Sequence, residues 1–547
     1  MPNKVYGGSF LVTQPESQDQ FIPEDLTSEH LAIIATAEAF WANDVAPHLD
    51  AIHCKEPGVL LSVLRKSAEL GFTGLSIPEE FGGMDVDLAS VMIVEECFAR
   101  DASYLVTHGG QAGIGALPLV FFGTDDQQQK YLPKLASAEW IAAYALTEPQ
   151  AGSDALNVRT RADLAPDGKH YLLNGQKMWI TNGGFADLVT VFAKVGGEHF
   201  TAFLVERAWP GVSIGAEEKK MGLSGSSTTA VYFDNVTVPI ENVLGEAGRG
   251  HIIAFNVLNI GRLKVGPDAV GAGKEVLLES LKYARERRAF GSAIADFGAI
   301  QHKLAEMAVH VFAAESMYWR VVGLIDQAMD GGKLKAVEEF AIECSMVKVF
   351  ASEAIGYIAD EGVQIHGGYG FHQDYAVERF YRDARIFRIF EGSNEINRQL
   401  IVNMLLKRCE RGRLTLSTEH TDTDAITQAK ALAVATLQAA QREFGGALAK
   451  QQEILMSIAD IMIETFAMES VSHRAEKLRA AHKGANAIDM AQVFCAGAAG
   501  RIDAAAREIF AACGRRDDPV VPVSFTNTIA LRRGIAQRLL AAGRYAV

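Results

Sequence analysis

Residues 188–211 read LVTVFAKVGGEHFTAFLVERAWPG. Two apolar runs, Leu188–Ala193 and Phe200–Val205, lie on either side of Gly196-Gly197, and Pro210-Gly211 follows the second. Short runs rich in Val, Phe and Thr, bounded by such turn residues, read as strands. The same punctuation recurs outward at Pro166-Asp167-Gly168 and Asn182-Gly183-Gly184, with further strand-like runs at Tyr171–Leu173 and Ala230–Phe233. Short strands at this spacing predict a small sandwich or barrel over residues 142–250.

On both sides of this block the period becomes helical. Ser28 is placed to cap a helix carrying Leu31, Ile34, Ala37 and Phe40 on one face. Val59–Leu70, Leu88–Phe98 and the stretch around Asp126–Leu135 repeat the pattern, broken by Pro78 and Gly82-Gly83. This gives an N-terminal helical domain over 25–141. Gly273–Arg288, Ala299–Met329 and Val337–Gln364 are long enough for a four-helix bundle over 251–408. RGRLTLSTEHTDTDA, residues 411–425, is polar and reads as a linker to a separate Ala-rich helical domain over 426–547. The predicted class is mainly α with a β domain: a helical domain, a middle β-barrel, a helical bundle and an extra helical domain. Helices and strands do not alternate and no G-x-G-x-x-G follows a strand, so a nicotinamide-binding fold is disfavoured.

Composition narrows the function. Asp plus Glu is 67 against 52 Lys plus Arg, a net charge of −15, which argues against nucleic acid as a partner. The six cysteines are scattered without a CxxC, as suits a reducing compartment. The N-terminus lacks an apolar signal core, so the expected location is cytoplasmic, peripheral to the inner membrane face at most, or the mitochondrial matrix for a processed chain. No run of ~18 uninterrupted apolar residues occurs, so no membrane span is expected.

Five short clusters carry chemistry. Tyr144-Ala145-Leu146-Thr147-Glu148-Pro149-Gln150-Ala151-Gly152-Ser153-Asp154 ends a strand in hydroxyls and small residues able to hydrogen-bond a polar ring or phosphate, or to form a plain surface turn. Trp179, Thr181 and Asn182-Gly183-Gly184 could stack on and hydrogen-bond a flat ligand, although a core Trp is the commoner outcome. Glu286-Arg287-Arg288-Ala289-Phe290-Gly291 closes a helix with cations that suit either the helix dipole or a pyrophosphate. Gln364-Ile365-His366-Gly367-Gly368-Tyr369-Gly370 lets backbone approach a ligand, and lacks the second ligand that a metal reading of His366 needs. Arg388-Ile389-Phe390-Glu391-Gly392-Ser393-Asn394-Glu395-Ile396-Asn397-Arg398 sets a carboxylate after two apolar residues, where desolvation can tune a base.

In this order and spacing the five clusters resemble the acyl-CoA dehydrogenase family; the resemblance runs over about residues 25–405, and the region after 410 resembles the family's very-long-chain branch. The resemblance implies FAD lying between barrel and bundle and completed by a neighbouring subunit. It implies that Tyr144, Leu146, Thr147 and Ser153 touch the flavin, its phosphates or the substrate, that Trp179 covers the ring, and that Thr181 bonds near N5. Arg287, Phe290, Gln364, Gly367 and Gly368 then reach the FAD of a second subunit, Ser393 and Glu395 lie near the FAD tail, and Arg262 and Gly392 hold acyl-CoA. One branch of the family carries its base just before the helix Arg; here that position is Gly261, so the base is Glu391. The implied reaction is α,β-dehydrogenation of a medium- to long-chain acyl-CoA to trans-2-enoyl-CoA in fatty-acid β-oxidation. Glu391 takes the α-proton and hydride goes to the flavin, and an electron-transfer flavoprotein is the expected acceptor. A homodimer or homotetramer is implied, and the extension suggests peripheral membrane contact.

Three departures stand out. Lys264 and Pro267 replace the usual small residues after Arg262, Gly298 replaces a common Gln, and the small residues of Gly113–Pro118 lean towards a long acyl chain. An acyl-CoA oxidase, another flavoenzyme on the same scaffold, or a catalytically idle assembly protein are the rival readings.

Overall fold

The computed structural model describes residues 5–417, 424–515, 521 and 526–547. Its chain forms two compact units, residues 27–261 and residues 5–26 with 262–547.

The first unit opens with seven helices: α1 Ser28–Phe40, α2 Leu49–His53, α3 Val59–Glu69, α4 Leu88–Phe98, α5 Ala102–Ala112, α6 Leu117–Phe122 and α7 Asp125–Ala136. The cap of α1 is Thr27 rather than Ser28: its hydroxyl accepts the His30 N–H at 3.3 Å, and the His30 ring takes the Thr27 N–H in return. Asp87 and Asp101 cap α4 and α5, each side chain accepting backbone N–H groups of the first turn. Phe40, Phe72, Phe98 and Tyr104 meet in tilted and edge-on pairs that fill the space between these helices. One stretch, Ala102–Phe122, is apolar and long enough by composition to cross a membrane, although Ser103, Thr107, His108 and Gln111 interrupt it. It is mostly buried, and it is two helices broken after Ala112. At the break, a Cβ on Gly115 would stand 2.3 Å from the Gly110 carbonyl and 2.6 Å from Ala142 Cβ. The small residues of Gly113–Pro118 are thus used by close packing of the chain on itself.

Eight strands follow: β1 Ala142–Ala145, β2 Arg161–Leu164, β3 His170–Thr181, β4 Leu188–Val195, β5 His199–Glu206, β6 Val212–Glu217, β7 Thr228–Pro239 and β8 Val243–Leu244. They form one sheet in the order β6-β7-β3-β2-β4-β5-β8, with β1 parallel to β4. The Gly196-Gly197 reversal sets Leu188 opposite Glu206 and Val195 opposite His199. Inward residues of every strand, among them Ala143, Leu173, Val191, Phe203 and Val231, with Ile214 and Val243 at the margins, pack into a single core. A flat sheet could not bring alternate residues of all eight strands together, so the sheet is rolled around them.

The second unit is helical. It takes in α8, Gly250–Glu286, from Arg262 onward, and then α9 Gly298–Gln327, α10 Lys333–Glu339, α11 Ala341–His366, α12 Ala376–Ala384 and α13 Asn394–Glu410. Then come α14 Ala425–Phe444, α15 Gln452–Ala480, α16 Ala485–Ala512 and α17 Thr528–Ala542. Residues 426–547 belong to this same unit rather than to a body apart. Arg474 of α15, with a side chain 1% exposed, pairs with Glu315 of α9 at 2.6 Å and with Glu24 at 2.5 Å. Arg320 of α9 pairs with Glu469 of α15 at 2.5 Å. The N-terminal segment joins in, as Gln20 donates to the Ser470 carbonyl at 2.9 Å and Phe10 meets Phe466 edge-on. Of the expected linker, residues 418–423 lie outside the described residues.

Candidate active site

In the helical unit, Glu391 sits in the short turn between a 3-10 segment, Arg385–Arg388, and α13. Its φ is +56° and that of Gly392 is +82°, two successive residues in the left-handed region. Such a turn is costly for Glu and persists only where its surroundings fix it. Three buried side chains do so. Arg262 Nε donates to the Glu391 carbonyl at 3.3 Å. Lys348 Nζ donates to the Gly392 carbonyl at 2.7 Å and to Asn394 Oδ1 at 2.6 Å. Asn397 Nδ2 reaches the carbonyls of Glu391, Gly392 and Ser393 at 3.3, 2.8 and 3.1 Å. A Cβ at position 392 would stand 3.1 Å from Asn397 Nδ2, which is tight as well as strained.

The Glu391 residue is half-buried, but its Oε2 is enclosed and has no hydrogen-bond partner. Burial pushes its carboxyl up to about 7, against the opposing charges of Arg262, Lys348 and Lys264. Burial likewise pulls the Lys348 ammonium down to about 7, against the attraction of Glu391. A desolvated, unpaired carboxyl poised near neutrality is what a general base at physiological pH requires. Arg262 also has a structural part here, since it holds the carbonyl of the base. Ser393 caps α13, accepting the Ile396 N–H at 3.5 Å, and Glu395 is exposed in the first turn of that helix.

In the β-containing unit, a bulge presents Trp179. Lys177 pairs with Val231 and Ile180 with Thr229, so Met178 and Trp179 stand against the single Ala230. Trp179, at φ +62°, is turned outward and is 53% exposed. The expectation of a stacking platform needs such a free ring; a core Trp would be closed. Thr181, half-buried, ends the same strand. Beside the bulge, Lys177 Nζ donates to Glu148 Oε1 at 2.7 Å and to the Leu146 carbonyl at 3.1 Å. The Thr147 carbonyl accepts the Met178 N–H at 2.9 Å. Leu146 and Thr147 are therefore fastened next to Trp179. Tyr144 is buried against Phe192, and Ser153 is exposed further along the turn.

A third group forms a cavity of about 730 Å³ in the helical unit, lined by Arg287, Phe290, Phe297, Gly367, Gly368 and Tyr369 among others. Phe290 is 97% exposed at φ +51°, at the tip of a two-residue turn with Gly291. Arg287 lies over the Tyr369 ring at 5.5 Å, and no carboxylate among the described residues pairs with it. A Cβ added at Gly367 or Gly368 would meet nothing within 4 Å, so their backbone is open to a ligand. Gln364 is exposed one turn earlier but does not line the cavity. His366 is buried, with its Nδ1 on the Gly362 carbonyl at 2.8 Å, and among the described residues no group of three metal-ligating side chains occurs.

Lys348, Asn397 and Lys177 were not marked by the sequence reading as site residues. A signal existed for one of them: Lys348 interrupts an apolar run, Met346-Val347-Lys348-Val349-Phe350, where a charge needs a partner; Lys177 follows the polar Asn174-Gly175-Gln176 and gave none.

Comparison with known proteins places these sites in a family. Models of the acyl-CoA dehydrogenase N-terminal and middle domains match residues 27–139 and 143–236. Two models of an acyl-CoA dehydrogenase C-terminal domain match residues 248–406 and 428–524. A probable acyl-CoA dehydrogenase of Bacillus subtilis (strain 168) is 43% identical over 584 residues, covering 99% of this chain and 98% of that protein. The very long-chain specific acyl-CoA dehydrogenase, mitochondrial, of Mus musculus is 40% identical over 398 residues, covering 71% of this chain and 58% of that protein. A crystal structure of an acyl-CoA dehydrogenase complexed with FAD from Bacillus anthracis is similar at a TM-score of 0.95 and 43% identity, over 99% of this chain and 100% of that one. Matched by models of this one family from residue 27 to residue 524, the chain belongs to the acyl-CoA dehydrogenase family.

Proposed function

We propose that the chain is a FAD-dependent dehydrogenase that converts a medium- to long-chain acyl-CoA to its trans-2-enoyl-CoA in fatty-acid β-oxidation, with Glu391 as base. The observation that carries this reading is the enclosed, unpartnered Glu391 Oε2 beside Arg262, Lys264 and Lys348. The α-proton of a thioester is weakly acidic, so its removal needs a carboxylate that is desolvated yet ionised near neutral pH. The left-handed Glu391-Gly392 turn fixes that carboxyl, and its backbone N–H groups are available to polarise a thioester carbonyl.

The residues present fit FAD. Trp179 offers an open ring face with Leu146, Thr147 and Thr181 beside it, and Arg287 with the open Gly367-Gly368 backbone suits a pyrophosphate. Tyr144, Ser153, Phe290, Gln364, Ser393 and Glu395 complete the proposed contacts. When bound, FAD supplies the acceptor for the hydride that leaves the β-carbon. The exposed Phe290 supports a homodimer or homotetramer in which this cavity meets the cofactor of a second copy. An electron-transfer flavoprotein is the proposed acceptor.

The test is the spectrum of purified protein titrated anaerobically with acyl-CoAs of increasing length. A yellow protein whose flavin bleaches, best with medium to long chains, supports the reading. A colourless protein unable to take up FAD overturns it.

A further inference from the structure

Five hydrogen-bonded contacts run in series from the C-terminal helices to the turn that carries the base. Asp460 of α15 accepts Arg398 Nε at 2.7 Å. Arg398 of α13 grips Glu353 of α11 with both terminal nitrogens, at 2.8 and 3.0 Å. Glu353 Oε1 accepts Asn394 Nδ2 at 2.9 Å. Asn394 Oδ1 accepts Lys348 Nζ at 2.6 Å, and the same Nζ holds the Gly392 carbonyl at 2.7 Å. Three helices of one compact unit, α11, α13 and α15, are thus linked through polar and charged groups that end one peptide from Glu391.

Burial differs along this series. Lys348 and Asn394 are closed off and the Arg398 side chain is 12% exposed, whereas Glu353 and Asp460, at 42% and 44% exposed, line a cavity of about 420 Å³. The contacts of Asn394 and Lys348 with each other and with the turn therefore lie in a poorly screened medium, where geometry and charge count most. A bidentate Arg–carboxylate pair is also directional: it fixes the plane of Glu353, and so the place where Asn394 can bond. Asp460 holds Arg398 through Nε, the nitrogen that Glu353 leaves.

We infer that Asp460 is a positioning residue for the base, acting through Arg398, Glu353, Asn394 and Lys348 on the Glu391-Gly392 turn. The C-terminal helices then contribute to the chemistry as well as to packing. The inference rests on the reading of Glu391 as the base. Its chemical sense is that the turn is strained and holds its shape through Lys348, Asn397 and Arg262, so slack in Lys348 is slack in the carboxyl. The charges facing Glu391 are Arg262 and Lys264 from α8 and Lys348 from α11, while Glu353 and Glu395 face Lys348 as well. Loosening Lys348 removes a cation from the carboxyl, so the acid limb of the rate profile moves to higher pH.

The experiment uses the full chain with FAD and the variants Asp460→Ala and Asp460→Asn. Hydrogen exchange of peptides covering residues 389–397 is read beside single-turnover flavin reduction across pH. In Asp460→Ala, exchange of these peptides accelerates severalfold, and reduction at saturating acyl-CoA slows by about 2- to 30-fold, the span of such coupled networks. KM stays within about twofold, the acid limb rises, and Asp460→Asn, which keeps an acceptor without the charge, falls between. A packing role alone accelerates exchange around residues 452–480 and leaves both residues 389–397 and the acid limb unmoved; that result overturns the inference. If Asp460→Ala does not fold, the same two readouts on Asp460→Asn decide. Should the wild type not reduce its flavin at all, the reading of Glu391 fails, while the exchange data still decide whether Asp460 holds the turn.

Discussion

Lys177 in β3 and Glu148 in the turn after β1 form an ion pair at 2.7 Å with side chains 0% and 2% exposed. Burial alone would raise the Glu148 carboxyl, but the Lys177 charge and the N–H groups of Arg159 and Thr160 outweigh it and hold the acid below its usual range. Burial of the ammonium in turn pulls Lys177 down to about 8. The pair fastens Leu146 and Thr147 beside the bulge that presents Trp179, so it shapes the proposed flavin face without touching the ring.

Lys177→Met leaves a carboxylate buried without its cation, a change that costs on the order of 3–5 kcal/mol. Urea denaturation should show this loss, with FAD released more readily from what remains folded. Replacing Glu148 by Gln as well should restore part of it. A single variant as stable as the wild type would show that the backbone N–H groups alone satisfy Glu148.

The fold was legible where local chemistry and tertiary demand agree. The glycine pair at 196–197 marked the β4–β5 reversal, and α4 covers the Leu88–Phe98 stretch read as helical. It was less legible where tertiary packing overrides local preference. Helix α8 runs unbroken through Gly261, Gly266 and Pro267, residues that read as breakers. A Cβ on Gly266 would stand 2.6 Å from Tyr318 Cβ, so that glycine admits α9 at close range. Strand β3 extends to Thr181 across Gly175 and a bulge that destroy its alternation. The motifs of the candidate site could be read because each is a short run of chain. Their supports could not, since Glu148 with Lys177, or Asp460 with Lys348, lie far apart in sequence and meet or connect only in the fold.

Arg287→Ala separates fold from cofactor. The side chain is exposed and its partner is the Tyr369 ring, so thermal stability without FAD should move little, by about 0.5 kcal/mol or less. If Arg287 holds a pyrophosphate, FAD affinity should fall by about thirty- to a hundredfold, the equivalent of ~2–3 kcal/mol for a charged hydrogen bond. Equilibrium dialysis of FAD measures this, and unchanged affinity would return Arg287 to an ordinary helix end.

Ending the chain near residue 415 should not give a soluble bundle. Removal of α14–α17 takes Arg474 from Glu315 and Glu469 from Arg320. Those charges then face water, so the larger loss is the apolar surface of α9 and α13 that the last helices cover, which becomes an exposed patch. Solubility and circular dichroism of the truncated chain test this. A soluble, cooperatively unfolding product that keeps FAD would show instead that the last four helices are an independent addition.

Glu391→Gln joins stability to chemistry. The folded carboxyl is raised to about 7 by burial, above its ordinary value of 4.5. The folded state therefore binds more protons than the unfolded state between those two values, and stability falls as pH rises through that window. The contribution is fully present below pH ~4.5 and is lost above ~7. Gln keeps the shape and cannot ionise, so the variant should lose this slope and be at least as stable as the wild type at pH 8, as urea titrations at pH 5 and 8 would show. Its chemistry should move the other way. The wild-type rate of flavin reduction should fall on acidification below about pH 7, as the base takes up its proton. The variant should stay yellow and bind acyl-CoA, but reduce its flavin slower by at least ~10²–10⁴. Gly261, at the alternative position, has no side chain to substitute, and Glu395 is exposed on α13. A variant that bleaches within a few-fold of the wild type would remove Glu391 as the base. A variant with the wild-type stability slope would show that another buried acid titrates in that window.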